Sequence, residues 1–63
     1  MTRVVWGKEW ENAWVMDVRD YTNGMYSVEC VVEDGGGAEA VLLSRDLDKC
    51  IARAKQICEE VSK

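Results

Sequence analysis

The C-terminal part of the chain carries the clearest pattern. Leu47, Cys50, Ile51, Ala54, Ile57, Cys58 and Val61 recur at steps of three and four, which places them on one stripe of an α-helix. Lys49, Arg53, Lys55, Glu59 and Glu60 fall on the opposite, wet side. Ser44 stands where an N-cap would accept from the first free amides. Asp46 and Asp48 follow in the turn where the helix dipole favours negative charge. The pattern predicts a helix over 45–61.

Upstream the period drops to two. In "AWVMDVRDY" the even positions Trp14, Met16 and Val18 are apolar, and in "MYSVECVVE" so are Tyr26, Val28, Cys30 and Val32. These runs predict strands over 13–21 and 25–33. A three-residue loop, Thr22-Asn23-Gly24, would set Val18 opposite Val28, Met16 opposite Cys30 and Trp14 opposite Val32. Gly24 would supply the left-handed residue that such a loop needs. A two-residue Asn23-Gly24 loop would instead scramble the apolar sets. "DGGG" is a second turn, and "AEAVLLS" predicts a strand over 38–44. A two-residue Gly35-Gly36 loop would put Val41 and Leu43 on the core face, and a longer loop would put Ala40 and Leu42 there. The first buries more volume and is preferred. "TRVVW" allows a short extra strand at the N-terminal edge, with Gly7 to Asn12 as the connection.

The expected fold class is therefore α+β. A three-stranded antiparallel meander, with a fourth N-terminal strand allowed, packs one face against one C-terminal helix. The other face would present Val15, Asp17, Arg19, Tyr21, Met25, Ser27, Glu29, Val31 and Glu33. Trp14 would belong to the core beneath the helix. Trp6 and Trp10 would close the end of that core or anchor a partner, and the four-residue spacing of the tryptophans would be coincidental.

Length alters the energetic picture. Residues 1–63 make a single small domain, and a domain of this size is marginal alone, so packing or a homodimer must help. Metal is an unpromising route: histidine is absent, and the three cysteines contain no Cys-x-x-Cys pair. Cys30, Cys50 and Cys58 read instead as small buried hydrophobes in a reducing compartment. No apolar run is long enough to span a bilayer, so no membrane partner is expected. A cytoplasmic protein is the default, in a host cytoplasm if phage-encoded.

Candidate chemistry is sparse. Without histidine the commonest general base near neutral pH is missing. No phosphate loop or nucleophile elbow appears, and the triple glycine reads as a turn. No cofactor, no metal site and no catalytic residue is expected. Charge is more informative. The net charge is −4, and no basic residue lies between Arg19 and Arg45, an interval holding Asp20, Glu29, Glu33, Asp34 and Glu39.

The order strand–strand–strand–helix over residues 13–61 resembles the arm-binding domains of tyrosine recombinases, which lay such a sheet in a DNA groove. That resemblance implies a small DNA- or RNA-binding domain, with Trp6 or Trp10 stacking on bases. Those domains carry basic residues on the sheet, whereas here Arg19 is alone among Asp17, Glu29 and Glu33, which makes nucleic acid an unlikely partner. "DLDKCIARAKQICEEV" is similar to the helix that follows the sheet in HicB-type antitoxins, which neutralise a partner toxin. The expected function is a non-enzymatic protein-binding module, an inhibitor or regulator docking an acidic surface on a basic partner such as a nucleic-acid-binding machine. An anti-defence protein of the phage type, an anti-CRISPR for example, would suit that description. The expected contact residues are Asp17, Tyr21, Met25, Glu29, Glu33, Asp34 and Glu39. The alternatives are the nucleic-acid-binding domain and a homodimeric structural protein.

Overall fold

A computed structural model describes residues 2–32 and 36–61. It comprises β1 (Arg3–Gly7), β2 (Ala13–Asp17), β3 (Tyr26–Val31), β4 (Ala38–Ser44) and α1 (Leu47–Val61). The four strands form one antiparallel sheet in the order β1-β2-β3-β4, and α1 packs across β2, β3 and β4. The fold is the expected α+β meander with the fourth N-terminal strand present. Among the described residues, no helix is long and apolar enough to cross a membrane.

The helix starts two residues later than its periodicity suggests, and its cap differs. Lys49 donates its amide to the Asp46 carboxylate at 3.2 Å, and Cys50 donates to the Asp46 carbonyl at 3.1 Å. Asp46 is therefore the N-cap. Ser44 Oγ accepts from the Asp46 amide at 3.0 Å, so it shapes the turn that delivers the cap.

Strand register departs most from expectation. Val15, not Val18, stands opposite Val28, with Trp14 opposite Glu29 and Ala13 opposite Cys30. The shift is three residues, and an odd shift exchanges the two faces of a strand. β2 ends at Asp17 because the chain folds back there. The Arg19 guanidinium donates to both Asp17 carboxylate oxygens at 2.9 Å, and the Arg19 amide donates to Oδ1 at 3.2 Å. Val18 to Met25 then form a compact connection instead of more strand and a three-residue loop. Tyr21 donates its amide to Val18 O at 2.9 Å and Gly24 to Arg19 O at 3.1 Å, with left-handed backbone at Asn23 and Gly24. Thr22 Oγ1 lies 2.8 Å from both the Val18 and Met25 carbonyls, donating to one at a time, and accepts from the Met25 amide at 3.1 Å.

β4 follows neither simple alternative. Leu42 pairs with Val28 and Leu43 with Ser27, while Ala40 pairs with Glu29; Val41 is the extra residue of a bulge. The preferred placement of Val41 and Leu43 on the core face is overturned, since Leu42 takes that place and Leu43 is exposed. Ala40 does not accompany Leu42, because the bulge turns it to the Glu29 side. Val32 donates its amide to the Gly37 carbonyl at 2.9 Å, so the connection exceeds two residues. Gly35 of the expected loop lies outside the described residues.

The core sits between helix and sheet. Trp6, Val15, Val28 and Leu42 form one row across all four strands, beneath the fully buried Cys50 and Ala54 of α1. These two small helix residues let α1 approach the sheet closely. Burial pushes the Cys50 thiol above its usual pKa, and Asp46 acts in the same direction. Cys50 Sγ lies 3.8 Å from Ser44 O and 4.0 Å from Tyr26 O, so it behaves as packing with a weak donor.

Candidate functional site

The helix-free side of the sheet holds the largest arrangement that the core does not use. Strand pairing builds it in rows. Val4, Met16, Ser27 and Leu43 form one row, and Gly7, Trp14, Glu29 and Ala40 the next, with Val31 opposite Ala38 beyond. Alternation puts all of these side chains on the face opposite Ala13, Val15 and Val28. Trp14 is thus not beneath the helix: it is 2% exposed, buried on the other face.

The β1–β2 connection explains that burial. Lys8 O accepts from the Glu11 amide at 3.0 Å, and Trp10 and Asn12 both adopt left-handed backbone, φ 68° and 56°. A bulky residue in this region is strained by about 1–3 kcal/mol. The strained turn lays the Trp10 ring over Trp14, with centroids 5.7 Å apart and planes at 46°. Tilted aromatic pairs of this kind add about 0.5–1.5 kcal/mol beyond area burial. The four-residue spacing of these two tryptophans is therefore structural, achieved by a loop and not by a helix. Gly7, at φ +81°, is needed beneath them: a Cβ there would sit 3.1 Å from Ala13 O and 3.3 Å from Trp14 Cα and Cβ. Trp6 has the separate role, packing against the core on the helix side.

Trp10 remains 61% exposed, Leu43 50% and Val31 41%. With half-buried Met16 and Val4 they make this face largely apolar. Glu29 is the single charged side chain that the pairing places among them. An antiparallel sheet ordinarily turns polar residues to water on its uncovered face.

The expected contact residues do not converge on this surface. Glu29 does lie on it. Asp17 faces the helix side, is buried, and is held in the Arg19 fork. Hydrogen bonds from the Arg19 side chain and amide, opposed by burial, lower its pKa to about 2. Arg19 in turn lies over the Tyr26 ring, 5.0 Å from its centroid. Tyr21 is 73% exposed in the β2–β3 connection, and Met25 is half-buried at its end. Glu39, opposite Cys30, is exposed on β4 and turned toward the helix side. Glu33 and Asp34 lie outside the described residues. The acidic sheet face is thus replaced by an apolar one bearing one carboxylate, and Val15 moves from the open face into the core. Val31 was legible as an outward residue, and Trp10 as one that closes the core or anchors a partner. Trp14, Met16 and Leu43 were expected on the helix side, because their placement depended on registers the structure does not adopt.

A second concavity lies on the other side of the same connection. Trp6, Gly7, Lys8, Glu11, Asn12, Ala13 and Cys58 line a groove of about 360 Å³. Cys58 Sγ lies 3.6 Å from Ala13 O at this end of the molecule. Among the described residues, no group of three or more Cys, Asp or Glu is placed to hold a metal ion.

No protein-family model matches the sequence, and no curated protein or solved structure is significantly similar to it. The likenesses to recombinase arm-binding domains and HicB-type antitoxins stay likenesses of element order and helix pattern, so any functional reading has to come from the surface itself.

Proposed function

We propose that this chain is a non-enzymatic protein-binding module that docks through the helix-free face of its sheet, as an inhibitor or regulator of a larger partner. The observation that carries this reading is the apolar face itself. A strained turn holds an exposed indole on a buried one. Leu43, Val31 and Met16 extend the surface on the side away from α1, with no helix or strand of the described residues above them. Aromatic residues and methionine are enriched at interface centres, and charged residues are depleted there. The acidic balance of the chain supports a partner with a basic surface around the contact, where complementary charge would speed association. No lysine or arginine lies on this face in the described strands, which disfavours phosphate binding and with it a nucleic-acid partner.

The test is comparative capture from cell lysate. Wild-type protein and a helix-surface control, Arg53→Glu with Lys55→Glu, are expected to retain the same partner. Val31→Ser with Leu43→Ser is expected to lose it while keeping the native circular dichroism spectrum. Equal capture by the face variant would overturn the reading. Salt-sensitive binding to generic duplex or single-stranded DNA would replace it with the nucleic-acid alternative.

A further inference from the structure

The two edges of the sheet differ in how they are protected. Exposed edges offer unpaired amides and carbonyls, and proteins commonly guard them with lysine, proline, short length or a bulge. β1 is five residues long, begins at Arg3 and is followed by Lys8. β4 is seven residues long, contains neither lysine, arginine nor proline, and has Glu39 as its only charge; Arg45 follows it, with its guanidinium donating to Asn23 O at 3.2 Å. Both strands carry a bulge, at Val5 and Val41, so the difference is in length and charge. Glu39, Ala40, Val41 and Leu43 are all exposed; the small Ala40 side chain leaves the neighbouring main chain open to approach.

We propose that the outer edge of β4 accepts an extended segment of a partner protein as a fifth strand, and that this segment alternates basic with apolar residues. The inference rests on the protein-binding reading and names the partner's chemistry. Strand addition draws affinity from main-chain hydrogen bonds and specificity from alternate side chains. On the helix side of the edge, Glu39 would meet a lysine or arginine across the new strand pair. On the other side, Leu43 would meet the partner's apolar residues and continue the exposed face into the added strand. Residues 26–44 carry Glu29, Glu33, Asp34 and Glu39 and no lysine or arginine. Arg45 follows β4 and Arg53 of α1 acts on the Cys30 side, so the attraction to basic chains rests on the excess of carboxylates. The same charge disfavours a second copy, whose own β4 would bring a like-charged edge. The Val41 bulge increases local twist and limits the regular edge, which suits one short segment better than flat stacking.

The probes are three capped peptides titrated into isotope-labelled full chain: an eight-residue alternation of lysine with valine, the same alternation with glutamate in place of lysine, and the chain's own residues 38–44. Amide shifts and hydrogen exchange report the contact, and sedimentation reports mass. The lysine peptide is expected to bind saturably and protect amides within Glu39–Leu43, and Glu39→Lys should weaken it about tenfold. Equal binding of the glutamate peptide, binding without protection in β4, or no binding by the lysine peptide would overturn the inference. So would preference for the chain's own strand, or a dimeric mass that points to a second copy. Loss of the edge contact while Val31→Ser with Leu43→Ser still abolishes lysate capture removes strand addition and leaves the docking face standing. Failure of both removes the protein-binding reading itself.

Discussion

Both faces of the sheet are apolar, but they are closed in different ways. On one, the row Trp6–Val15–Val28–Leu42 lies under a helix whose contact residues, Cys50 and Ala54, are small. Closure there comes from close approach of a whole element. On the other, the large Trp14 is capped by the ring of Trp10, carried on a turn with unfavourable backbone angles. Helical periodicity announces the first kind of closure in advance. The second depends on a loop conformation and leaves most of its surroundings exposed. A domain this small thus completes one core and holds half of a second.

The contrast between the two faces is tested most severely at Trp14. If the helix-free face contributes a true second core, Trp14→Ala should cost about 3–5 kcal/mol, most of what a marginal domain possesses. A urea titration followed by circular dichroism would show a largely lost transition. A variant as stable as wild type would mean that only the helix face holds the fold. On that helix face, Ala54→Leu inserts bulk where α1 sits close to the sheet, and a loss of about 1–3 kcal/mol is expected. An unchanged denaturation midpoint would show that the helix contact is looser than its burial implies.

These two substitutions also mark what was legible in the sequence. The helix, its core-facing stripe except the exposed Val61, and the presence of three strands followed from periodicity, and the fourth strand was allowed by "TRVVW". Which face each strand turns to the helix was not legible, because Val15 and Met16 are adjacent apolar residues and either satisfies alternation. The Asp17–Arg19 fork stands where β2 ends. It is a contact between two polar residues that hydrophobic pattern cannot register. The bulge at Val41 was hidden for a related reason: "AVLL" is apolar throughout, so an added residue leaves no trace. Glu29 was placed correctly on the open face because β3 kept its predicted orientation while β2 reversed.

Acid tests the fork directly. The folded-state pKa of Asp17, about 2, lies below its ordinary value of 3.8. The stabilisation is therefore fully present above the ordinary value and is lost as pH falls through the folded value. Asp17→Asn should flatten the dependence of stability between about pH 4 and pH 2, measured as denaturation midpoints across that range. An unchanged slope would show that other carboxylates dominate acid unfolding. The smallest stability effect is expected at the exposed side of the comparison: Leu43→Ser should shift stability by no more than about 0.5 kcal/mol while reducing partner capture. A larger loss would make Leu43 part of the fold instead of part of a docking surface.

The Trp10–Trp14 pair also makes the molecule optically legible. Two indoles held 5.7 Å apart at a fixed 46° tilt couple their electronic transitions, giving a paired positive and negative band in circular dichroism that a lone tryptophan lacks. Because Trp10 is carried on the strained turn, any event that relaxes the turn also changes that couplet. The open face therefore carries its own spectroscopic gauge, with no label added.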